Sequence, residues 1–359
     1  MSLLSLDFLW SSTKEFFSLK PLYDEALKQK WNVRFLRVRR NIFRNYFTLN
    51  NLSSILVISH DTPLKRVKKI GWEGKYIYVE HGLGAIKYWT YKYPFFHNAE
   101  LLFYPGKVFK RKMEAINPKF RNGLIGGYPK MDILYKTKIN RESLCEKYGL
   151  NPRNPIILFA PTWGGKYNNE CGIHNLKYLK NVENVISIPH PADYKMAKRY
   201  NSIIPQKADG INNFLHLADL VISDVSSVLA EASFLDKPVI QLKLKRYPGC
   251  FPEKDKRKDQ SWIDEEILIK ENQLADLNKR PFKIPFIDED WVMGHICKPK
   301  ELINTIPLAL REKDKFKDAR RYWTKQSGWK FDGKICYRIL YMIKEFLIKG
   351  ERIQIEDIQ

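Results

Sequence analysis

Two serines, Ser226 and Ser227, stand where an apolar run gives way to a helix-forming one, a placement suited to holding phosphate. The segment is ADLVISDVSSVLAEASFLDKPVIQL, Ala218–Leu242. Its first apolar run ends at Ser223, and the polar turn Asp224–Ser227 follows. Val228–Leu235 is then helix-compatible, and Lys237–Pro238 stops it. A helix start presents unpaired N–H groups and partial positive charge, and small hydroxyl residues let an anion approach closely. The same residues also suit simple capping with no ligand, by Asp224 or Ser226. Asp224 would repel a phosphate and is read as a cap or as an orienter of the turn. Glu231, one helical turn beyond Ser227, can hold ribose hydroxyls or sit solvated on the helix.

Other residues with chemical potential also follow apolar runs. His81 follows KYIYV, His190 follows VISI, and His60 follows SILVIS. A histidine titrates near neutral pH and can accept a hydroxyl proton. Thr162 and Trp163 follow PIILFA. The threonine hydroxyl can touch phosphate, and the indole can pack on a glycerol or a base, or fill a core. Lys87 and Lys130 can neutralise charge. No HxxH, DxD or clustered His/Cys pattern stands at a strand end, so no metal site is expected. Five scattered cysteines without a CxxC spacing argue against a disulfide framework and suit free thiols in a reducing cytoplasm.

What must position these residues is a series of short strands. Ser54–Ser59, Lys75–Val79, Leu101–Tyr104, Asn122–Ile125, Pro155–Ala160, Val185–Ile188, Leu220–Ser223 and Val239–Leu242 read as buried strands separated by helical stretches. That alternation predicts parallel βαβ units. The series pauses over 136–154, which divides 359 residues into an N-terminal lobe, 1–140, and a donor-binding lobe, 141–330. A last helix follows within 331–359, and it can cross back to the first lobe. The expected fold class is α/β, two Rossmann-like lobes with a central cleft, the GT-B architecture. Ligands in such sheets sit beyond the carboxyl ends of the strands, where the residues above fall. Residues 249–290 are charged and read as a surface insertion.

Several of these post-strand loops occur together in one known family. The segments HGLGAIK (His81–Lys87), GYPKMD (Gly127–Asp132), ILFAPTW (Ile157–Trp163), PHP (Pro189–Pro191), SDVSSVLAEASFLDKPVI (Ser223–Ile240) and FDGKICYRI (Phe331–Ile339) resemble, in order, the motifs of the CDP-glycerol:glycerophosphotransferase family. The resemblance covers roughly residues 50–340. It implies a metal-independent GT-B enzyme without a cofactor. Such an enzyme sits peripherally on the cytoplasmic face of the membrane. It moves glycerol phosphate from CDP-glycerol, or a related nucleotide donor, to a hydroxyl of a lipid-linked or polymer acceptor and releases CMP. Its chemistry would fall to His81 and His190, with His81 as base and His190 donating to the pyrophosphate or helping CMP depart. Thr162, Trp163, Asp224, Ser226, Ser227, Glu231 and Lys87 would handle the donor, and Arg338 would latch the last helix. One departure stands out: the family continues HG with Thr-Pro-Leu-Lys, whereas this chain has Leu83-Gly84-Ala85-Ile86 before Lys87. Two other readings stay open, a GT-B glycosyltransferase using a nucleotide sugar and a non-catalytic basic module.

The formal net charge of +22 calls for a polyanionic partner. From Ala26 to His60 there is no Asp or Glu, while Arg34, Arg37, Arg40 and Arg44 interleave with Trp31, Phe35, Val38, Ile42 and Tyr46. That spacing predicts a basic helix with an aromatic face, suited either to an anionic membrane surface or to core packing with a solvated basic side. No RNP, KH or zinc-finger signature appears, so nucleic acid is not expected. The opening MSLLSLDFLW lacks a charged n-region and a cleavage site, so no signal peptide is expected, and no run of about 18 apolar residues predicts a spanning helix.

Overall fold

The computed structural model describes residues 5–84, 90–164, 170, 172–200, 202–206, 209–244, 266, 269–270, 273 and 292–355. The chain forms two compact units. One comprises 1–83, 90–136 and 325–359, the other 84–89 and 137–324.

The first unit carries a six-stranded parallel sheet. Its strands are β1 (Ser5–Trp10), β2 (Asn32–Arg37), β3 (Ile55–Ile58), β4 (Lys75–Val79), β5 (Leu101–Tyr104) and β6 (Gly123–Ile125), in the order β2-β1-β3-β4-β5-β6. Helices α1 (Thr13–Lys28), α2 (Ile42–Thr48), α3 (Asp61–Lys68), α4 (Lys107–Ile116) and α5 (Lys130–Lys136) connect or flank them. Strands β3 to β6 are buried on both faces, with Leu56, Val57, Ile77, Val79, Leu102 and Phe103 fully enclosed, while the edge strand β2 is largely exposed. This explains their reading as continuous apolar runs.

The second unit repeats the pattern with α6 (Arg141–Tyr148), β7 (Ile157–Phe159), β8 (Val185–Ser187), α7 (Gly210–Leu217), β9 (Leu220–Ser223), α8 (Ser227–Phe234), β10 (Val239–Leu242), β11 (His295–Cys297) and α9 (Leu302–Arg311). Its five parallel strands run β11-β10-β9-β7-β8. Counted within each unit, both sheets begin 2-1-3-4-5, the doubly wound order whose switch point lies between the first and third strands. In the first unit that point is flanked by the ends of β1 and β3, in the second by the ends of β7 and β9. The GT-B fold class expected from the strand series is thus the one found.

After α10 (Lys317–Gly328), α11 (Ile335–Lys349) belongs to the first unit. Asp132 of α5 caps α11 by accepting from Ile335 N–H at 2.9 Å and from Cys336 N–H at 2.8 Å. Gly127 holds φ at +89°, and a Cβ there would meet Ile335 Cγ2 at 2.9 Å, so the family-like GYPKMD turn doubles as a seat for α11. Arg338, 2% exposed, pairs with Asp332 and lies over the Trp329 ring at 5.3 Å.

Three expectations need correction. The basic stretch Ala26–His60 is not one helix: it ends α1, forms β2, turns, forms α2 and then β3. Trp31 and Phe35 fit a helical period, yet Phe35 lies on a strand, stacked on Tyr23 of α1 at 5.0 Å. Arg34, on the same strand, forks onto the buried Asp7 of β1, with Nε–Oδ1 2.7 Å and Nη2–Oδ2 2.6 Å. Secondly, the strand series begins earlier than Ser54: Ser5–Trp10 forms β1, within which Asp7 pairs with Arg34 and accepts Ser53 N–H at 2.6 Å. Thirdly, β10 does not close the second sheet; β11 pairs with it from Ile240↔His295 to Leu242↔Cys297. Most of the predicted insertion over 249–290 lies outside the described residues, as do Cys171 and Cys250. Cys145, Cys297 and Cys336 are free and buried.

Candidate functional site

In the second unit, the residues singled out from sequence meet at the β7/β9 switch point. Ser223 ends β9 and donates its hydroxyl to Ala160 O at 2.6 Å, locking the two strand ends together. Asp224 follows, fully buried, and its Oδ1 accepts from Thr162 N–H at 2.9 Å and from Val225 N–H at 2.7 Å. It therefore orients the turn, as its chemistry suggested. Burial pushes its carboxyl up to about 6 even against these donors, and Oδ2 has no hydrogen-bond partner among the described residues. Ser226 is the N-cap of α8, accepting Val228 N–H at 3.4 Å, and Ser227 is the first helical residue; both are half-buried. Capping and anion binding are compatible here, since one side-chain oxygen satisfies only one of the four free N–H groups of a helix start. Glu231 is 3% exposed, so the solvated alternative for it does not hold.

Thr162 and Trp163 are half-buried, and the next residue, Gly164, adopts φ of +134°. Gly164 N–H donates to the buried Asp193 Oδ2 at 2.9 Å. Two buried aspartates thus hold the PTWG turn, Asp224 at one end and Asp193 at the other. Asp193 lies three residues after His190, so the same contact ties the PTWG turn to the PHP turn. His190 is exposed, and its Nδ1 accepts Ala192 N–H at 3.2 Å. With Nδ1 occupied as an acceptor, the proton of the neutral ring sits on Nε2, which makes His190 a donor.

In the first unit, His81 stands directly after β4, about one-fifth exposed. Before it, Glu80 is buried at 7% exposure and collects three hydrogen bonds. These come from Tyr78 OH at 3.2 Å, Tyr91 OH at 3.1 Å and His81 N–H at 3.1 Å. Burial raises the Glu80 carboxyl above its ordinary range, opposed by these donors and by the Lys14 charge. The tyrosine hydroxyl has one proton, and Glu80 receives it. The same oxygen lies 3.2 Å from His81 Nδ1, so that contact needs Nδ1–H as donor. Nδ1 also faces Glu80 Oε1 at 3.4 Å. The hydrogen-bond sense therefore leaves the lone pair of His81 on Nε2, a tautomer able to take a proton.

His60 caps α3 through Nδ1, accepting Thr62 N–H at 3.2 Å, and its ring meets that of His81 edge-on at 5.6 Å. It adjoins the His81 site rather than forming a separate one. His97 is held by Tyr91 O and Asn117, His174 by Tyr200, and His295 by Glu312, all in structural roles. Lys87 lies outside the described residues. Of the four arginines expected to face a membrane, Arg34 is bound to Asp7, while Arg37, Arg40 and Arg44 are exposed. Sequence reading missed Glu80, Tyr78, Tyr91 and Asp193. An acid adjoining the histidine in the EHG triplet and an acid three residues after PHP were the available signals.

Comparisons with known proteins bear on the family and the fold. The model of the family described as CDP-Glycerol:Poly(glycerophosphate) glycerophosphotransferase matches residues 19–246. A teichoic acid poly(ribitol-phosphate) polymerase of Bacillus spizizenii is 24% identical over 258 residues, 61% of this chain and 41% of that relative. The chain thus spans less than half the length of that curated relative. Among solved structures, the wall teichoic acid polymerase TagF has a TM-score of 0.62 at 17% identity, covering 97% of this chain and 90% of that one. The MnaA–UDP complex of S. aureus has a TM-score of 0.60 at 14% identity, covering 98% and 99%. Likeness at this identity speaks for the fold.

Proposed function

Because the chain belongs to the CDP-glycerol:poly(glycerophosphate) glycerophosphotransferase family, we propose that it transfers glycerol phosphate from CDP-glycerol to a hydroxyl of a wall or capsule polymer acceptor. The observation that carries this reading is the family match together with His81, whose Nε2 lone pair is fixed by Tyr78 and Glu80. In the reaction, His81 Nε2 takes the proton of the acceptor hydroxyl. The freed oxygen attacks the phosphorus that bears glycerol and forms the new phosphodiester bond. The P–O–P bridge breaks, and CMP leaves with the bonding electron pair, helped by the Nε2–H of His190. Such transfers depend on positioning and on stabilising the phosphate charge. The start of α8, with Ser226 and Ser227, supplies N–H and hydroxyl donors for that charge, and Asp224 holds Thr162 beside it. Glu231 and Trp163 complete the donor seat in this reading, and the CDP-activated donor is a substrate, with no cofactor taking part.

The same reading places the protein on an anionic membrane surface at the cytoplasmic face. What supports this is α2: Ile42, Phe43, Tyr46 and Phe47 are 41%, 79%, 64% and 75% exposed, on a helix that also carries the exposed Arg44. Apolar side chains turned outward beside an exposed cation match a lipid interface. No helix among the described residues is long and apolar enough to cross a membrane.

The experiment is a donor panel with an extracted membrane acceptor fraction. CDP-glycerol, CDP-ribitol and UDP-sugars are supplied in parallel, and released nucleotide is measured. CMP released only with CDP-glycerol supports the reading. UDP released from a sugar donor, or no turnover with any CDP-polyol, overturns it.

A further inference from the structure

A cavity of about 260 Å³ opens in the first unit, lined by Ser11, Arg37, Val38, Arg39, Arg40 and Arg66. A single water takes up roughly 30 Å³, so the space is sized for a larger guest. Four of its six lining residues are arginines, and no carboxylate lines it. The Arg37 guanidinium lies over the Trp10 ring at 5.3 Å, and Arg66 Nη1 donates to Val38 O at 3.2 Å. None of the four forms an ion pair among the described residues; the neighbouring Arg34, outside the cavity, is the one that does. Arg37, Arg39 and Arg40 are exposed, so the four guanidiniums form a cationic cluster open to an anion from solvent.

The wall of this cavity is built rather than incidental. Val38, 1% exposed, donates its N–H to Trp10 O at 2.8 Å, continuing the β1–β2 pairing past its end. Asn45 is fully buried and grips the Arg39 backbone from both sides, its Oδ1 accepting Arg39 N–H at 2.8 Å and its Nδ2 donating to Arg39 O at 2.8 Å. Together with the Arg66 bond, these contacts hold residues 38–40 in one conformation. A buried amide used this way removes the flexibility that an arginine-rich turn would otherwise have.

The position is informative too. The cavity lies beyond the carboxyl ends of β1 and β2, on the sheet edge where ligands of such folds sit. Ser11 lies just before α1, whose Lys14 Nζ comes within 3.6 Å of a Cβ placed at Gly82, the neighbour of His81. Arg66 is on α3, the helix that His60 caps. The cavity therefore borders the side of the first unit that holds the candidate base. Guanidinium forks match the paired oxygens of phosphate groups, and several forks side by side suit a chain that carries phosphates at intervals.

We propose that this arginine-lined cavity seats phosphate groups of the acceptor chain, holding a polymer of phosphodiesters so that its terminal hydroxyl reaches His81. The proposal rests on the glycerophosphotransferase reading for the identity of the acceptor. Its test is a binding measurement without donor or turnover, so a failure of that reading and a failure of this one are distinguishable.

The probe is a short soluble oligomer of glycerol phosphate, titrated calorimetrically into the full chain, with an uncharged glycerol oligomer as control. The paired variant Arg37→Gln/Arg40→Gln is expected to weaken the Kd by roughly a hundredfold, about tenfold per guanidinium. Arg37→Lys/Arg40→Lys, which keeps charge and loses the forks, is expected to fall between. Asn45→Ala, which keeps every charge and loosens the wall, is expected to weaken the oligomer as well. Binding to phosphatidylglycerol vesicles separates the other phosphate source. Unchanged oligomer affinity in the glutamine variant, with vesicle binding lost, would mean that these arginines face lipid and would overturn the proposal. Equal binding of the uncharged oligomer would overturn it too.

Discussion

At the scale of single residues, the consequential features are buried acids that orient their neighbours. Glu80 gathers Tyr78, Tyr91 and the His81 backbone, and through Tyr78 it sets which nitrogen of His81 holds a proton. In Glu80→Gln the amide can donate to Tyr78, reversing the hydroxyl and freeing His81 to adopt the other tautomer. The kcat for glycerol phosphate transfer should then fall by roughly 10- to 100-fold with little change in the KM for donor, as expected when a general base is mis-set rather than removed. A changed KM with unchanged kcat would point instead to a binding role. Asp224 offers a pH signature. Its carboxyl is raised from 3.8 to about 6 by burial, so the ionised form is less favourable in the fold than in the unfolded chain. The stability it contributes is full below about pH 4 and is lost as pH rises through 6, a change of about 3 kcal/mol. Asp224→Asn retains an oxygen for Thr162 and Val225 and has no proton to lose, so denaturation midpoints measured between pH 4 and 6 should be flatter than those of the wild type.

At the scale of elements, α2 is inverted relative to an ordinary surface helix: its one buried residue is Asn45, and its large apolar residues face out. In Phe43→Ser/Phe47→Ser, vesicle affinity should drop by tenfold or more, since burying one aromatic ring is worth roughly 1.5–3 kcal/mol. The melting temperature should hold, because neither ring supports the core. A lowered melting temperature with intact vesicle binding would assign the rings to packing. The element boundaries also show why the Ala26–His60 reading went astray. Helical and strand periods overlap over short stretches, and Trp31, Phe35 and Val38 satisfied the helical one. The decisive fact, Phe35 stacking on Tyr23 across the β1–α1–β2 unit, lies in no local window. The same holds for Asp7, which breaks an apolar run in sequence and is neutralised by Arg34 in space.

At the scale of the molecule, α11 joins the first unit from the far end of the chain, with Asp132 as its cap and Gly126–Gly127 as its seat. Asp132→Ala leaves two buried N–H groups at the start of α11 without acceptors and should destabilise the first unit by about 2–4 kcal/mol. Hydrogen exchange should then show protection lost over β1, β5 and α11 and retained over β7–β10. Equal loss in both units would mean that they unfold as one. In the second unit the turns after β7 and β9 lie at the switch point, whereas in the first unit His81 follows β4, one strand beyond it.

The sequence alone determined the doubly wound fold class, the placement of His81, His190, Thr162 and Ser226 after strands, and the family, because buried parallel strands and the turns after them are local patterns. It did not determine β1 and β2, the Glu80–Tyr78 support of His81, the Asp193 brace or the arginine cavity. Each of those depends on residues far apart in the chain meeting in space: Asp7 with Arg34, Gly164 with Asp193, Arg66 with Val38. Burial, and the partners that make a buried charge tolerable, are properties of the folded chain.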